Sequence, residues 1–335
     1  MGSTEDRDGV SLTNLDEELF PSAGATKRDL VEYLDAMSDR FIPVLRDRPL
    51  SVQRVLRGQR PFMQKNLPKY TPDWVERIPI WAESSHREVT YALCNDRRTL
   101  LWLANQRAVE FHPTLWRIED PDRPTALILD IDPPEGDSFP RAVQAARLVR
   151  TALHDAGLEC TLKTSGAKGL HVLVPITGVS TEQAAAATRA LAARAEQLDP
   201  EVATTAFVRE ERHDKVFLDS TRAGGATLAA LYSPRIRPGV PVSFPLPWEA
   251  LEDIVPSDFT IKTAPALLAQ LQPDSAADHP AELVQSLPAD LIEQGRGIPI
   301  ARVQAMHEGK RRARARRNAD ADKEDIAPAP PSDPG

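Results

Sequence analysis

Residues 125–134 read Thr-Ala-Leu-Ile-Leu-Asp-Ile-Asp-Pro-Pro. Five apolar residues between 126 and 131, with one acid among them and another just after, predict a strand buried on both faces that ends in charge. Side chains alternate along a strand, so Asp130 and Asp132 emerge on one side, roughly 6.6 Å apart at the backbone. Two carboxylates this close repel each other unless something positive lies between them, and at a strand terminus the usual answer is a divalent cation. The alternative is that one aspartate caps the turn made by Pro133 and Pro134 while its partner is solvated.

The rest of the chain supplies elements to pack around this strand. Residues 1–10 are polar and expected to be disordered. Thr26 has the place of an N-cap for a helix over 27–45. Residues 50–75 begin like a strand and continue as a basic loop. Arg54, Arg57, Arg60, Lys65 and Lys69 are interleaved there with Phe62, Met63, Tyr70 and Trp74. Cations beside exposed rings suit nucleic acid, the charges meeting phosphates and the rings stacking on bases, although Trp74 and Tyr70 can equally be core residues. A strand over 87–95 leads to a helix over 97–109 capped by Asp96, then to His112, which alone reads as structural. Beyond the aspartates come a helix over 138–156 ended by Gly157, strands over 158–164 and 170–176, and an alanine-rich helix over 181–198. Two such units imply a sheet with helices packed on it. A short strand over 215–219 again finishes in a carboxylate, Asp219. The Pro- and Arg-rich stretch 232–248 reads as an extended wrap, and 249–305 as short helices broken by prolines.

No run is long enough to span a membrane and no charged-then-apolar leader is present, so a soluble, cytoplasmic protein is expected. Cys94 and Cys160 have neither disulfide nor zinc spacing and read as buried free thiols. The net charge of −8 argues against a polyanionic partner, but it is segregated: residues 1–308 carry 34 basic against 44 acidic side chains, while six of the eight residues 310–317 are basic. Any nucleic-acid binding must come from a local groove. The basic run and the acidic, Pro- and Ala-rich remainder read as a disordered tail that adds nonspecific DNA affinity or merely solubility.

The loop over 163–172, KTSGAKGLHV, sets a hydroxyl, two glycines, a lysine and a histidine between two strands. Glycines let backbone amides approach an anion, Lys168 brings charge, and Ser165 and His171 add donors, which together suit a triphosphate. It is not a Walker loop, because no helix follows directly. A plain hairpin turn is the competing reading.

In order, these motifs resemble the polymerase domain of the bacterial end-joining DNA ligase D, a branch of the archaeo-eukaryotic primase superfamily. The likeness runs from about residue 13 to about 251 and includes TKRDLVEYL, FMQKN, WLANQRAVEFHPTLWR and YSPRIRPGVPVSFPLPWEAL. It implies an α+β fold: a primase-type catalytic core with central, mainly antiparallel or mixed sheets flanked by helices. The expected organisation is one polymerase domain over 11–305, with a DNA-binding subregion at 11–85, a catalytic core at 86–251, a helical wrap at 252–305 and a tail over 306–335.

The resemblance also implies roles. Asp130, Asp132 and Asp219 would hold two divalent ions, Mn²⁺ preferred and Mg²⁺ compatible, in a two-metal nucleotidyl transfer. Ser165, Gly166, Lys168, Gly169 and His171 would cradle the triphosphate, with His112, Arg222, Arg235 and Arg54 near the incoming nucleotide. Phe62, Met63 and Lys65 would meet DNA, and Lys27 the 5′-phosphate of a downstream strand. Nucleoside triphosphates and primed, gapped or broken-ended DNA would be the substrates, in a bacterial, nucleoid-associated setting, with a separate ATP-dependent ligase and an end-binding protein as partners. Neither a Lys-x-Asp-Gly adenylation motif nor a His-rich phosphoesterase segment is present, so a stand-alone polymerase module is expected.

Departures from the family pattern are equally informative. Glu17 replaces a second phosphate-binding lysine, Gln53 a lysine and Met63 the second of two phenylalanines. After Asp219, the usual Gln-Asn and Gly-Lys-Thr positions read Arg222, Ala223 to Gly225, and Ala226-Thr227. Two other classes fit the acids alone: a metal-dependent phosphodiesterase, which has no need of the triphosphate loop, and a non-catalytic DNA-binding scaffold, which has no need of three intact carboxylates.

Overall fold

The structure, a computed structural model, describes residues 4–83, 86–136, 138–222, 227–270 and 284–300. Its strands are β1 (Glu5–Arg7), β2 (Val10–Leu12), β3 (Leu50–Arg54), β4 (Phe62–Gln64), β5 (Arg77–Ala82), β6 (Arg87–Ala92), β7 (Ala108–Pro113), β8 (Ala126–Asp132), β9 (Thr161–Thr164), β10 (Leu170–Pro175), β11 (Ala203–Thr204), β12 (Val216–Asp219) and β13 (Pro245–Leu246). The helices are α1 (Lys27–Ala36), α2 (Ser38–Leu45), α3 (Arg97–Asn105), α4 (Phe139–Asp155), α5 (Thr181–Leu198), α6 (Ala264–Gln270) and α7 (Ala289–Arg296). The class is α+β, as the sequence implied.

Two sheets carry the architecture. A six-stranded sheet runs in the order β11-β12-β8-β10-β9-β13. It is antiparallel except for the parallel pair of β11 and β12. The second sheet is ordered β4-β3-β6-β5, with β7 on the other side of β3. In β8, Leu127, Leu129 and Ile131 are sealed, while Asp130 and Asp132 on the alternate face keep some access to solvent. The expectation that this strand is buried on both faces therefore holds only for its apolar half. Helices α4 and α5 pack against the sheet, and α7 lies on α5 so closely that a side chain at Gly295 would strike the Ala186 backbone.

Several local expectations shift. Residues 5–12, expected to belong mostly to a disordered terminus, form the β1–β2 hairpin, because Val10 and Leu12 are buried and Arg7 pairs with Asp35 at 3.1 Å. The helix expected over 27–45 is two helices meeting at Met37. Ser38 is a poor interior helix residue and Pro43 lacks the N–H for the turn below it. Thr26 does cap α1, through a full capping box with Asp29. The helix begun at Asp96 stops at Asn105, since Arg107 turns into the left-handed region at φ 60° and the chain then joins β3 as β7.

The segment expected as a wrap becomes a strap between the sheets. Ala230 donates to the Phe111 carbonyl and Ser233 Oγ accepts from Phe111 N–H, both at 2.9 Å. Farther on, Ser243 Oγ donates to the Thr164 carbonyl and Thr164 N–H to the Phe244 carbonyl, both at 2.8 Å. Tyr33, on the buried face of α1, donates its hydroxyl to the Tyr232 carbonyl at 2.7 Å. Cys94 is buried and Cys160 partly so, and burial raises both thiols, Cys160 to about 12. Among the described residues no helix is long and apolar enough to cross a membrane. The basic run 310–317 and the acidic tail lie outside the described residues.

Candidate active site

Strand register assembles the site. Asp219 of β12 pairs with Asp130 of β8, Asp130 with His171 of β10, and His171 with Lys163 of β9. Directly opposed residues share a face, so one rung across the sheet carries Asp219, Asp130, His171 and Lys163 side by side. Asp132, two residues beyond Asp130, is on the same face opposite Phe217.

Each acid is met by a cation. The Arg222 guanidinium lies 3.2 Å from Asp130 Oδ2 and 3.2 Å from Asp219 Oδ2. Asp219 uses its other oxygen, Oδ1, to accept from Thr221 N–H at 2.8 Å and the Thr221 hydroxyl at 2.6 Å. Asp132 faces Lys168 Nζ at 3.4 Å and Arg212 Nη1 at 3.7 Å, and Arg212 is stacked 3.7 Å over the Phe217 ring. Burial alone would raise the Asp130 carboxyl. The neighbouring His171 ring and Arg222 outweigh it and hold the pKa near 2, so this buried acid is ionised at neutral pH.

His171 is a link in this rung. Lys163 Nζ donates to His171 Nδ1 at 2.5 Å, to Ser243 Oγ at 2.7 Å and to the Ala229 carbonyl at 3.0 Å. Nε2 faces Asp130 Oδ1 at 3.4 Å, and an ionised carboxylate can only accept, so the ring proton belongs on Nε2 and Nδ1 is the acceptor toward Lys163. Burial, reinforced by Lys163, lowers His171 to about 4, and burial together with Arg235 drives Lys163 well below its ordinary value. Both ring nitrogens are therefore committed, and His171 addresses the carboxylate row.

The 163–172 loop is a hairpin turn between β9 and β10. Ser165 N–H donates to the Gly169 carbonyl at 2.9 Å, and Ser165 Oγ accepts from the amides of Ala167 at 3.1 Å and Gly169 at 3.2 Å. Its lone pairs thus hold the turn and its own proton is left to donate outward. Gly166 has φ +71°, and a Cβ there would sit 2.9 Å from the Ser243 amide; a Cβ on Gly169 would collide with the Ile131 carbonyl. The loop is thus a tight hairpin turn, and its lysine leans over Asp132.

Glu110, which the sequence reading passed over, ties the second sheet to this turn. Buried on β7, it meets His112 Nε2 at 3.0 Å, Arg235 Nε at 3.2 Å and the Ile236 amide at 2.9 Å. Arg235 in turn donates to the Ser165 carbonyl. Burial opposes the Glu110 charge, but His112 and Arg235 overcome it and bring the pKa to about 2. The signal was present in VEFHP, where Glu and His alternate on one face of an apolar strand. Lys163 was visible as the first letter of the loop. Arg212 had no sequence signal.

The remaining candidates form two other groups. Arg54 is buried in the second sheet, bonded to the Gln106 carbonyl at 2.7 Å and Gln64 Oε1 at 2.6 Å, and lies 5.8 Å from the centre of the Phe62 ring. Around it Phe62, Met63 and Tyr70 are exposed at 36, 42 and 61%, and Lys65 is exposed too, while Trp74 packs against the core under Arg98. Lys27 is turned inward, its ammonium 2.6 Å from both the Thr13 carbonyl and Asn105 Oδ1, and burial lowers it to about 8. Beside it, Glu17 pairs with Arg107 at 3.3 Å and Arg57 at 3.7 Å.

Among the described residues, no three His, Cys, Asp or Glu side chains converge to share an ion. Asp130 and Asp219 do converge, on Arg222, so the point between them already favours a cation, and carboxylate oxygens suit a hard divalent one. Asp132 stands on the same face with its carboxylate turned to Lys168 and Arg212.

A family model described as the LigD primase-polymerase domain matches residues 26–275. The chain belongs to this family. Over 260 residues it is 35% identical to the bifunctional non-homologous end joining protein LigD of Bacillus subtilis, covering 76% of this chain and 41% of that protein. It is 34% identical over 250 residues to the multifunctional LigD protein of Mycolicibacterium smegmatis, covering 73% of this chain and 32% of that one. The chain thus spans 41% or less of the length of these LigD relatives. The polymerase domain of Mycobacterium tuberculosis ligase D, solved in complex with DNA, superposes with a TM-score of 0.73 at 31% identity, covering 81% of this chain and 98% of that one.

Proposed function

We propose that this LigD-family chain is a template-directed nucleotidyltransferase that adds ribo- or deoxyribonucleotides to primed, gapped or broken-ended DNA during end joining. The observation that carries the reading is the rung of Asp219, Asp130, His171 and Lys163 set beside the Ser165–Gly169 turn. Membership of the LigD primase-polymerase family and likeness to a polymerase domain solved with DNA support it.

Asp130, Asp132 and Asp219 would hold Mn²⁺ or Mg²⁺, and bound ions would lower the pKa of a primer 3′-hydroxyl and offset charge at the attacked phosphate. The chain's own groups do the rest. Lys163 fixes the His171 tautomer, and His171 orients Asp130. Ser165 offers its hydroxyl proton, Lys168 its charge, and Arg235 is steered by Glu110 toward the turn, so that donors of positive character line the place of a triphosphate. The exposed Phe62 and Met63 give a template base an apolar face. The names of the relatives connect the reaction to non-homologous end joining, with a DNA ligase and an end-binding protein as the partners proposed.

The test is extension of a labelled primer–template with Mn²⁺ or Mg²⁺ and nucleoside triphosphates. The wild type should lengthen the primer and the Asp130→Ala/Asp132→Ala double variant should not. Equal extension by the double variant overturns the reading. So does shortening of the primer by the wild type, which would mark a phosphodiesterase.

A further inference from the structure

The facing pair Asp130 and Asp219 is neutralised from within the chain. Arg222 reaches an oxygen of each at 3.2 Å, and their side chains are only 14 and 9% exposed. Two ionised carboxylates opposed across neighbouring strands repel, and poor solvation strengthens the repulsion. A guanidinium suits the gap because its charge is permanent and its planar fork spans two acceptors. It therefore occupies oxygens of the two carboxylates that would hold a divalent ion.

We propose that Arg222 is a built-in counter-ion that holds the Asp130–Asp219 pair in the metal-free protein and is released toward substrate phosphates when a divalent ion takes its place. The inference rests on the metal reading above. Its geometry is suited to exchange. Arg222 is one-third exposed, and Asp219 grips Thr221 through Oδ1, the oxygen Arg222 does not use. The backbone before Arg222 therefore stays anchored when the guanidinium leaves Oδ2. Metal loading and nucleotide capture become two halves of one exchange, with Arg222 opposing the first and assisting the second. A residue that served only one of these roles would not give effects of opposite sign.

The decisive experiment titrates Mn²⁺ into metal-free full-length protein and follows the free-ion electron paramagnetic resonance signal, with and without a non-hydrolysable nucleoside triphosphate. Arg222→Gln should bind Mn²⁺ at least about fivefold more tightly than wild type without nucleotide, a coupling of the usual allosteric size. It should also bind the nucleotide more weakly when Mn²⁺ is saturating. Unchanged or weaker Mn²⁺ binding by Arg222→Gln, with Asp130→Asn abolishing it, overturns the counter-ion role while leaving the metal reading intact. Equal Mn²⁺ binding by wild type and Asp130→Asn overturns the metal reading and the proposal with it. Should Arg222→Gln fail to fold, Arg222→Lys serves instead: a single ammonium cannot fork between two carboxylates, so tighter Mn²⁺ binding is again expected and unchanged binding again counts against the proposal.

Discussion

Asp130 and Asp219 stand directly opposite one another in the antiparallel pair of β8 and β12, and share one guanidinium. Removing that guanidinium leaves two poorly solvated charges facing each other. In metal-free buffer Arg222→Ala should therefore lose about 2 kcal/mol of stability, and adding Asp219→Ala should restore part of it. Urea unfolding of the wild type, both single variants and the double variant checks this. Strictly additive losses would show that Arg222 and Asp219 are not coupled.

Acid should loosen the fold from the His171 end of the rung. His171 is held neutral, its pKa lowered from 6.5 to about 4, so the unfolded chain takes up a proton that the native chain does not. Stability is then full above about pH 6.5 and declines as pH falls toward 4, by an amount on the order of 3 kcal/mol. Asp130 and Glu110, both lowered to about 2, extend the decline below that. Urea midpoints measured at pH 7, 5.5 and 4.5 should drop stepwise, and His171→Gln should flatten the first step. A constant midpoint between pH 7 and 5 would contradict this.

Glu110→Gln keeps the shape of the side chain but removes the charge that His112 and Arg235 share. Arg235 should then wander from the Ser165 carbonyl, raising the nucleotide KM about tenfold while kcat changes little. Steady-state primer extension across nucleotide concentrations measures both. An unaltered KM would leave Glu110 with a purely structural role.

Phe62 sits on the exposed strand β4, so its truncation should leave folding almost untouched. Phe62→Ala should keep its melting temperature and weaken primer–template binding by about tenfold, the loss of one stacked base. A lowered melting temperature with unchanged DNA affinity in anisotropy titrations would place the ring in the core.

Around Lys27 the charges are already spent. Its ammonium is buried against Thr13 and Asn105, while Glu17 occupies Arg107 and Arg57. A 5′-phosphate on the downstream strand of gapped DNA should thus improve binding by less than about threefold, and Glu17→Lys should enlarge the gain. Strong phosphate preference in the wild type would show that other cations compensate.

Much of this was legible in the chain. Alternation along β8 placed Asp130 and Asp132 on one face, and α5 ran over the alanine-rich residues 181–198 as predicted. The pairing of Asp219 with Asp130 was not legible as register, since strand order is set by packing across distant segments and not by local pattern. Likewise Arg212 reads as one more loop arginine until β12 brings Phe217 beneath it. Nor was the burial of Lys27 legible: lysines are seldom buried, and nothing local reveals that Asn105 waits below it.

The strap between the sheets has a bearing on how far they can part. The strap bonds to Phe111 on β7 near one end and to Thr164 on β9 near the other, next door to His112 and Ser165 respectively. On the proposed reading, the gap a nucleotide would enter is spanned by one continuous length of chain, like the fixed jaws of a caliper. The jaws cannot spread without unzipping those bonds, so anything held between them would meet side chains on a fixed frame.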